Sequence, residues 1–160
     1  VKHEIIFSRQ VKNLGHNNSA ALVRRAIETT LAAEGVEEPC TVSVTFTDDE
    51  GIREINRQFR NVDRPTDVLS FPMNELVPGA FDAAGCERDP ETGGILLGDV
   101  VISVPRCDEQ GREFGHGYDR EVSYLTTHSV LHLLGYDHMD DGPMKKQMRS
   151  REKTIMGDNK

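Results

Sequence analysis

"HSVLHLLGYDH", residues 128–138, carries three of the six histidines of this 160-residue chain, and its reading decides how the C-terminal third folds. Its spacing is H-x-x-x-H-x-x-G-x-x-H. Val122, Leu125, Leu131 and Leu134 recur at the interval of one helix face, which predicts a helix from about Asp119 to Leu134 that Gly135 stops. Residues four apart on a helix differ by about 40° in azimuth and about 6 Å in rise, so His128 and His132 project side by side. Gly135 lets the chain turn back, and His138 then closes a third side of a tetrahedron with the fourth position open.

Three ordinary histidines, one buried and two exposed, are the plain alternative. The clustering and the helix-then-glycine spacing favour a metal site. Neutral imidazoles suit Zn2+, one ion per chain, although nickel, copper or iron also fits such ligands. Three ligands with an open position is the pattern of a catalytic centre. Zinc proteases share this frame, but they carry Glu directly after the first His as their base, and Ser129 stands there here. Zinc alone brings its water to a pKa of about 7, so a phosphodiester becomes a fitting substrate wherever a cation meets the phosphate. Asp137 is either an acceptor for an imidazole N–H or a solvent-facing residue at the helix end. His3, His16 and His116 lack comparable spacing and read as structural or exposed.

Upstream, the apolar spacing switches between periods of two and of 3.6. "HEIIFS" (3–8) reads as a strand. "NNSAALVRRAIETTLAAEG" reads as a helix opened by Asn18 or Ser19, stopped by Gly35 and buried along Leu22, Ala26, Ile27 and Leu31. "TVSVTF" (41–46) alternates Val42, Val44 and Phe46 with small polar residues, as a half-buried strand does. Thr47-Asp48-Asp49-Glu50 predicts a capping box for the next helix, on which Ile52, Ile55 and Phe59 share a side. Pro65 ends any helical continuation. "TDVLSF" (66–71) and "ILLGDVVIS" (95–103) are further strands, the second with a bulge or close backbone approach predicted at Gly98-Asp99. Residues 73–94 between them are rich in turn formers and acids without any period, a long surface loop. One helix follows Pro105. The tail after Pro143, with Met144, Met148 and Ile155 among Lys and Arg, forms a last amphipathic one.

Length sets one domain, 1–160, as the expectation. Hydrophobic content of 36% with 29% charged residues indicates a globular protein rather than a disordered one. The early apolar run Ile5-Ile6-Phe7 is far too short for a signal core or a membrane span, so a cytoplasmic location without membrane contact is expected. Cys40, Cys86 and Cys107 form no C-x-x-C pair and read as free thiols. The net charge of −8 argues against coating nucleic acid by bulk electrostatics, so any RNA contact needs a local basic site. Arg53, Arg57 and Arg60 fall within a wedge of roughly 60° on their helix, and Arg64 follows in the turn. This stripe is either a phosphate-reading face or a solvated one paired as Asp49–Arg53 and Glu50–Arg53.

"INRQFRNVDRPTDVLSFP" (55–72), "LLGDVVIS" (96–103) and "THSVLHLLGYDH" (127–138) together resemble, in order and spacing, the signature segments of the YbeY family of bacterial metal-dependent endoribonucleases. The resemblance implies an α+β fold, with a small mixed β-sheet of about four strands packed with about five helices. It implies a cytoplasmic, single-strand-specific, zinc-dependent endoribonuclease acting in ribosomal RNA maturation, notably at the 16S rRNA 3′ end, and in ribosome quality control. Single-stranded RNA, ribosomal RNA and ribosome or small-subunit assembly components would be its partners. By position, His128, His132 and His138 take the places of the zinc ligands and Arg60 that of the functional arginine. Asp63, Pro65, Thr66, Asp67, Ser70 and Phe71 match the rest of the first signature. Position 129 is usually small in that family, which Ser129 suits, whereas the 73–94 loop looks expanded. Two rival functions stay open: a metallopeptidase with its base at Asp137 or Asp67, and a noncatalytic ribosome-assembly factor whose zinc fixes a helix to a loop.

Overall fold

Alternation makes the second strand the centre of the sheet: Val42, Val44 and Phe46 of β2 (Cys40–Thr47) are all fully buried. β2 pairs in parallel with β1 (Glu4–Arg9) on one side and with β4 (Ile95–Ser103) on the other. β3 (Val68–Pro72) is an antiparallel edge strand beside β4, so the order is β1-β2-β4-β3. The helices are α1 (Ser19–Ala33), α2 (Asp49–Arg60), α3 (Val104–Glu113), α4 (Gly117–Leu133) and α5 (Pro143–Met156). This computed structural model describes residues 1–137 and 142–157, and across them the fold is α+β with a mixed four-stranded sheet. Among the described residues no helix is long and apolar enough to cross a membrane.

Successive side chains of a strand face opposite sides of its sheet, and β4 divides accordingly. Val100 and Ile102 join the main core with Val23, Ile27, Leu31, Val130 and Leu131 of α1 and α4. Val101 lies on the other face with Ile52 and Leu69, beneath α2. Val23, absent from the expected stripe of α1, is fully buried, while Leu22 is only partly so.

Two local expectations are corrected. The N-cap of α2 is Asp48, whose carboxylate accepts from the Gly51 N–H at 2.8 Å, and not Thr47. Thr47 still belongs to β2 and is fully enclosed; its hydroxyl packs against Gly51 of the first turn but makes no hydrogen bond among the described residues. Phe59 is 69% exposed although Ile52 is buried, because the last turn of α2 reaches the edge strand, where the ring meets Phe71 edge-on at 5.8 Å.

Gly98 makes the bulge: between Thr41 and Val42 the register of β2 against β4 slips by one residue. Its φ is +150°, and a Cβ there would stand 2.4 Å from the Phe71 carbonyl oxygen and 2.8 Å from Leu133 Cδ2. Only glycine lets β3, β4 and α4 approach this closely, and β3 and α4 are the two walls of the cleft described below. Residues 73–94 form a loop, as expected, with one bridge from Arg88 to Ile95. The loop is anchored to β4 by Met73 N–H to the Leu97 carbonyl (3.1 Å) and the Asn74 amide to the Leu96 carbonyl (3.0 Å).

Candidate metal and phosphate site

Packing aims the histidines of α4. Val122, Leu125, Val130, Leu131 and Leu133 are buried, which leaves His128 and His132 half-buried in a cleft facing β3. Their ring centroids stand 4.8 Å apart with planes at 83°. The His128 Nδ1–H donates to Glu152 Oε2 of α5 at 2.5 Å, and the His132 Nδ1–H donates to the Tyr136 carbonyl at 2.9 Å. A carbonyl and an ionised carboxylate cannot donate in return. Both imidazoles are thereby set in the tautomer that carries its lone pair on Nε2, the form suited to ligating a metal.

Glu152 is 4% exposed and also accepts from the Tyr124 hydroxyl at 3.1 Å. Burial, with the Glu152 carboxylate beside it, pushes the Tyr124 phenol up to about 12, so it remains a donor at neutral pH. Gly135, at φ +104°, turns the chain so that the Tyr136 carbonyl comes back to His132; a Cβ there would lie 2.1 Å from the Leu76 carbonyl oxygen. The donor set at His128 and His132 therefore fits a transition metal. His138, the expected third ligand, lies outside the described residues. Among the described residues no group of three His, Cys, Asp or Glu side chains is placed to hold an ion.

Across a cleft of about 840 Å³, Arg60 faces the histidines from the last turn of α2. Its guanidinium donates to the Ser70 carbonyl at 2.6 Å and lies 5.3 Å from the centre of the Phe71 ring. The turn after it is fixed by Asn61 in the left-handed region (φ +57°) and by the buried Asn56, whose amide donates to the Arg64 carbonyl at 2.9 Å. Asp67, on the same cleft, accepts from Val68 N–H (2.7 Å) and the Thr66 hydroxyl (3.2 Å) with one oxygen and from Gln110 (3.1 Å) with the other. Its carboxylate is thus committed to holding the loop.

The rest of the arginine stripe is a solvated face. Arg53 pairs with Asp63 at 2.8 Å and Glu50 at 3.6 Å, and Arg57 pairs with Glu54. The Arg53 guanidinium, through its hydrogen bond, holds the Asp63 carboxyl below the usual carboxylate range. Asp49 does not meet Arg53 as expected but bonds Ser103 and Arg106, because the helix start sits over the end of β4. His3 is buried and accepts the Cys40 N–H; His16 stacks on Tyr118 at 3.6 Å. The three cysteines are free thiols. Sequence reasoning missed Glu152 and Tyr124; Asp137, left open there between an acceptor and a solvent-facing residue, lies exposed on the cleft, while Glu152 and the Tyr136 carbonyl accept from the Nδ1 atoms of His128 and His132. Nothing in the spacing of the last helix marks Glu152, since its partner is 24 residues away.

Ser129 is fully enclosed, its Oγ without a hydrogen-bond partner among the described residues, and it is not part of the cleft lining. A Glu at that position would bury an uncompensated charge.

The sequence model for "Endoribonuclease YbeY" matches residues 4–160. The chain is 49% identical over 141 residues to endoribonuclease YbeY of Clostridium kluyveri, covering 84% of this chain and 85% of that protein. It is 46% identical over 136 residues to endoribonuclease YbeY of Bacillus cereus, covering 85% and 83%. The solution structure of TM1509 from Thermotoga maritima superimposes with a TM-score of 0.54 at 24% identity, over 96% of this chain and 89% of that one, a likeness of fold. By its matched length and its identity to these relatives, the chain belongs to the endoribonuclease YbeY family.

Proposed function

We propose that this chain is a cytoplasmic, zinc-dependent endoribonuclease that cleaves single-stranded RNA in ribosomal RNA maturation, at the 16S rRNA 3′ end in particular, and in ribosome quality control. His128, His132 and His138 would hold the ion, on one domain spanning 1–160. The observation that carries the reading is the pairing of two tautomer-fixed imidazoles with one anchored guanidinium across a single cleft. When bound, zinc supplies Lewis acidity toward an oxygen of water or phosphate. Arg60 neutralises the charge that grows on the phosphate in the transition state, and its bond to Ser70 and its place over Phe71 pre-orient it for this. Glu152 and the Tyr136 carbonyl hold the imidazoles still.

Metal content by mass spectrometry, followed by RNA cleavage with wild type, His132→Ala and Arg60→Ala prepared identically, tests this. Arg60→Ala should lower kcat by about 10²–10³, the usual effect of deleting one donor to a developing anion. Equal cleavage by all three proteins sinks the reading. A 2′,3′-cyclic phosphate end identifies the RNA's own 2′-OH as nucleophile, whereas a 5′-phosphate with a 3′-hydroxyl identifies water. The peptidase alternative loses Asp67 as its base, both of whose oxygens already accept hydrogen bonds.

A further inference from the structure

Tyr124 belongs to two cavities. On one side lies the cleft with His128; on the other is a second hollow of about 350 Å³ between the first turns of α4 and the last turns of α5. Its acids and its cations are sorted by depth. Glu121 and Glu152 are 3% and 4% exposed and are both committed inward: Glu121 to Gln110 (3.0 Å) and His116 (2.7 Å), Glu152 to His128 and Tyr124. Arg149 and Lys153, four residues apart on α5, share its exposed face, and Arg120 joins them from α4. Neither Arg149 nor Lys153 has an ion-pair partner among the described residues. Arg151, by contrast, is occupied by Glu34 at 2.7 Å on another side of the helix. In a chain of net charge −8, α5 carries five Lys and Arg against Glu152 alone. Phe114 completes the rim with a ring that is 64% exposed.

Exposed cations beside an exposed aromatic ring form the pairing that holds a single-stranded nucleic acid, phosphate on the charge and base on the ring. A duplex keeps its bases stacked inside and cannot use Phe114. We propose that this second cavity is a nucleotide subsite for single-stranded RNA whose strand continues from the cleft across Tyr124, with Arg149 and Lys153 on a backbone phosphate and Phe114 under a base. The subsite rests on the endoribonuclease reading, yet it is testable by binding alone.

The probe is a fluorescein-labelled single-stranded RNA of about 12 nucleotides, within the usual footprint of such sites. Anisotropy in EDTA, which stops metal-dependent turnover, gives affinity against salt for wild type, Arg149→Ala/Lys153→Ala and Phe114→Ala. A control, Arg24→Ala/Arg25→Ala on α1, removes the same charge from another exposed face. The Arg149/Lys153 variant should flatten the salt slope by about 1.4, from about 0.7 for each cation on a single strand. Phe114→Ala should weaken the single strand about tenfold with its slope unchanged and leave a duplex of the same sequence unaffected. Equal losses in the α1 control, or an unchanged slope in the Arg149/Lys153 variant, overturn the subsite. Cleavage with zinc restored separates the two readings: intact RNA with wild type refutes the nuclease, while cleavage without any binding effect of the variants refutes the subsite alone.

Discussion

Glu152→Gln isolates what the buried carboxylate contributes to the proposed metal site. The substitution keeps shape and contacts: the new amide oxygen still accepts from His128 Nδ1, and its NH2 donates to the Tyr124 oxygen. What disappears is the negative charge that faces the His128 Nδ1–H. Loss of such an outer partner costs about 10–100-fold in metal affinity, and a 2.5 Å bond to a carboxylate only 4% exposed belongs near the upper limit. Folding of the metal-free protein should change by less than about 1 kcal/mol, because removing a buried charge relieves desolvation as it weakens a hydrogen bond. At a zinc level about 100-fold above the wild-type Kd, binding stabilises the wild type by about 2.7 kcal/mol; a Kd weakened 100-fold leaves about 0.4 kcal/mol. Competition with a chromogenic chelator measures the affinities, and melting with and without zinc measures the linkage. A Glu152→Gln protein that binds zinc within threefold of wild type, with its melting shift retained, would refute the role given to Glu152.

Three further outcomes follow from the geometry. Gly98→Ala should destabilise the protein by several kcal/mol, about 3 or more, since backbone lies 2.4 Å from the new Cβ and cannot yield as a side-chain tip would; chemical denaturation checks it. Asn56→Ala leaves the Arg64 carbonyl without its donor and should cost about 1–3 kcal/mol while lowering RNA cleavage through a loosened Arg60; denaturation and kcat together check it. Burial lowers the His3 pKa from 6.5, so its contribution is complete above pH 6.5 and is lost as pH falls through the lower folded value. His3→Gln, which can still accept the Cys40 N–H, should flatten the acid side of the melting-temperature profile, and an unchanged profile refutes the assignment.

What was legible in the sequence was periodic. Val42, Val44 and Phe46 placed the central strand, Val122, Leu125, Leu131 and Leu134 placed α4, and Gly98 and Gly135 marked two of the places where backbone passes too close for a side chain, Gly111 against Gly117 being another that the pattern did not mark. Phe59 failed because periodicity describes a helix face but not where the sheet beneath it ends. Thr47 failed as a cap because tertiary packing kept it in β2 one residue longer, leaving Asp48 to close the helix. In the site, spacing aligned His128 with His132 but was silent on Glu152, whose contact depends on α5 docking against α4. Like-charge periodicity could not divide the arginines between a phosphate-reading and a solvated face: among the described residues Arg60 is the arginine that reaches the cleft, and acids within ten residues occupy Arg53 and Arg57.

Ser129 changes meaning with its surroundings. From spacing alone, the missing Glu separates the frame from peptide hydrolysis and points toward phosphate. In the fold the position is fully enclosed, so a carboxylate is excluded there by the cost of burying it, whatever the substrate. The case for phosphate therefore rests on Arg60. Its guanidinium is held at the cleft wall by a carbonyl and an aromatic face, neither of which neutralises it, and it faces two imidazoles whose Nδ1 partners have fixed their tautomers. A retained positive charge opposite the pair proposed to ligate a metal suits an anionic phosphodiester better than a neutral amide. On that ground Arg60→Lys, which keeps the charge but loses the planar fork, should recover only part of the activity that Arg60→Ala loses.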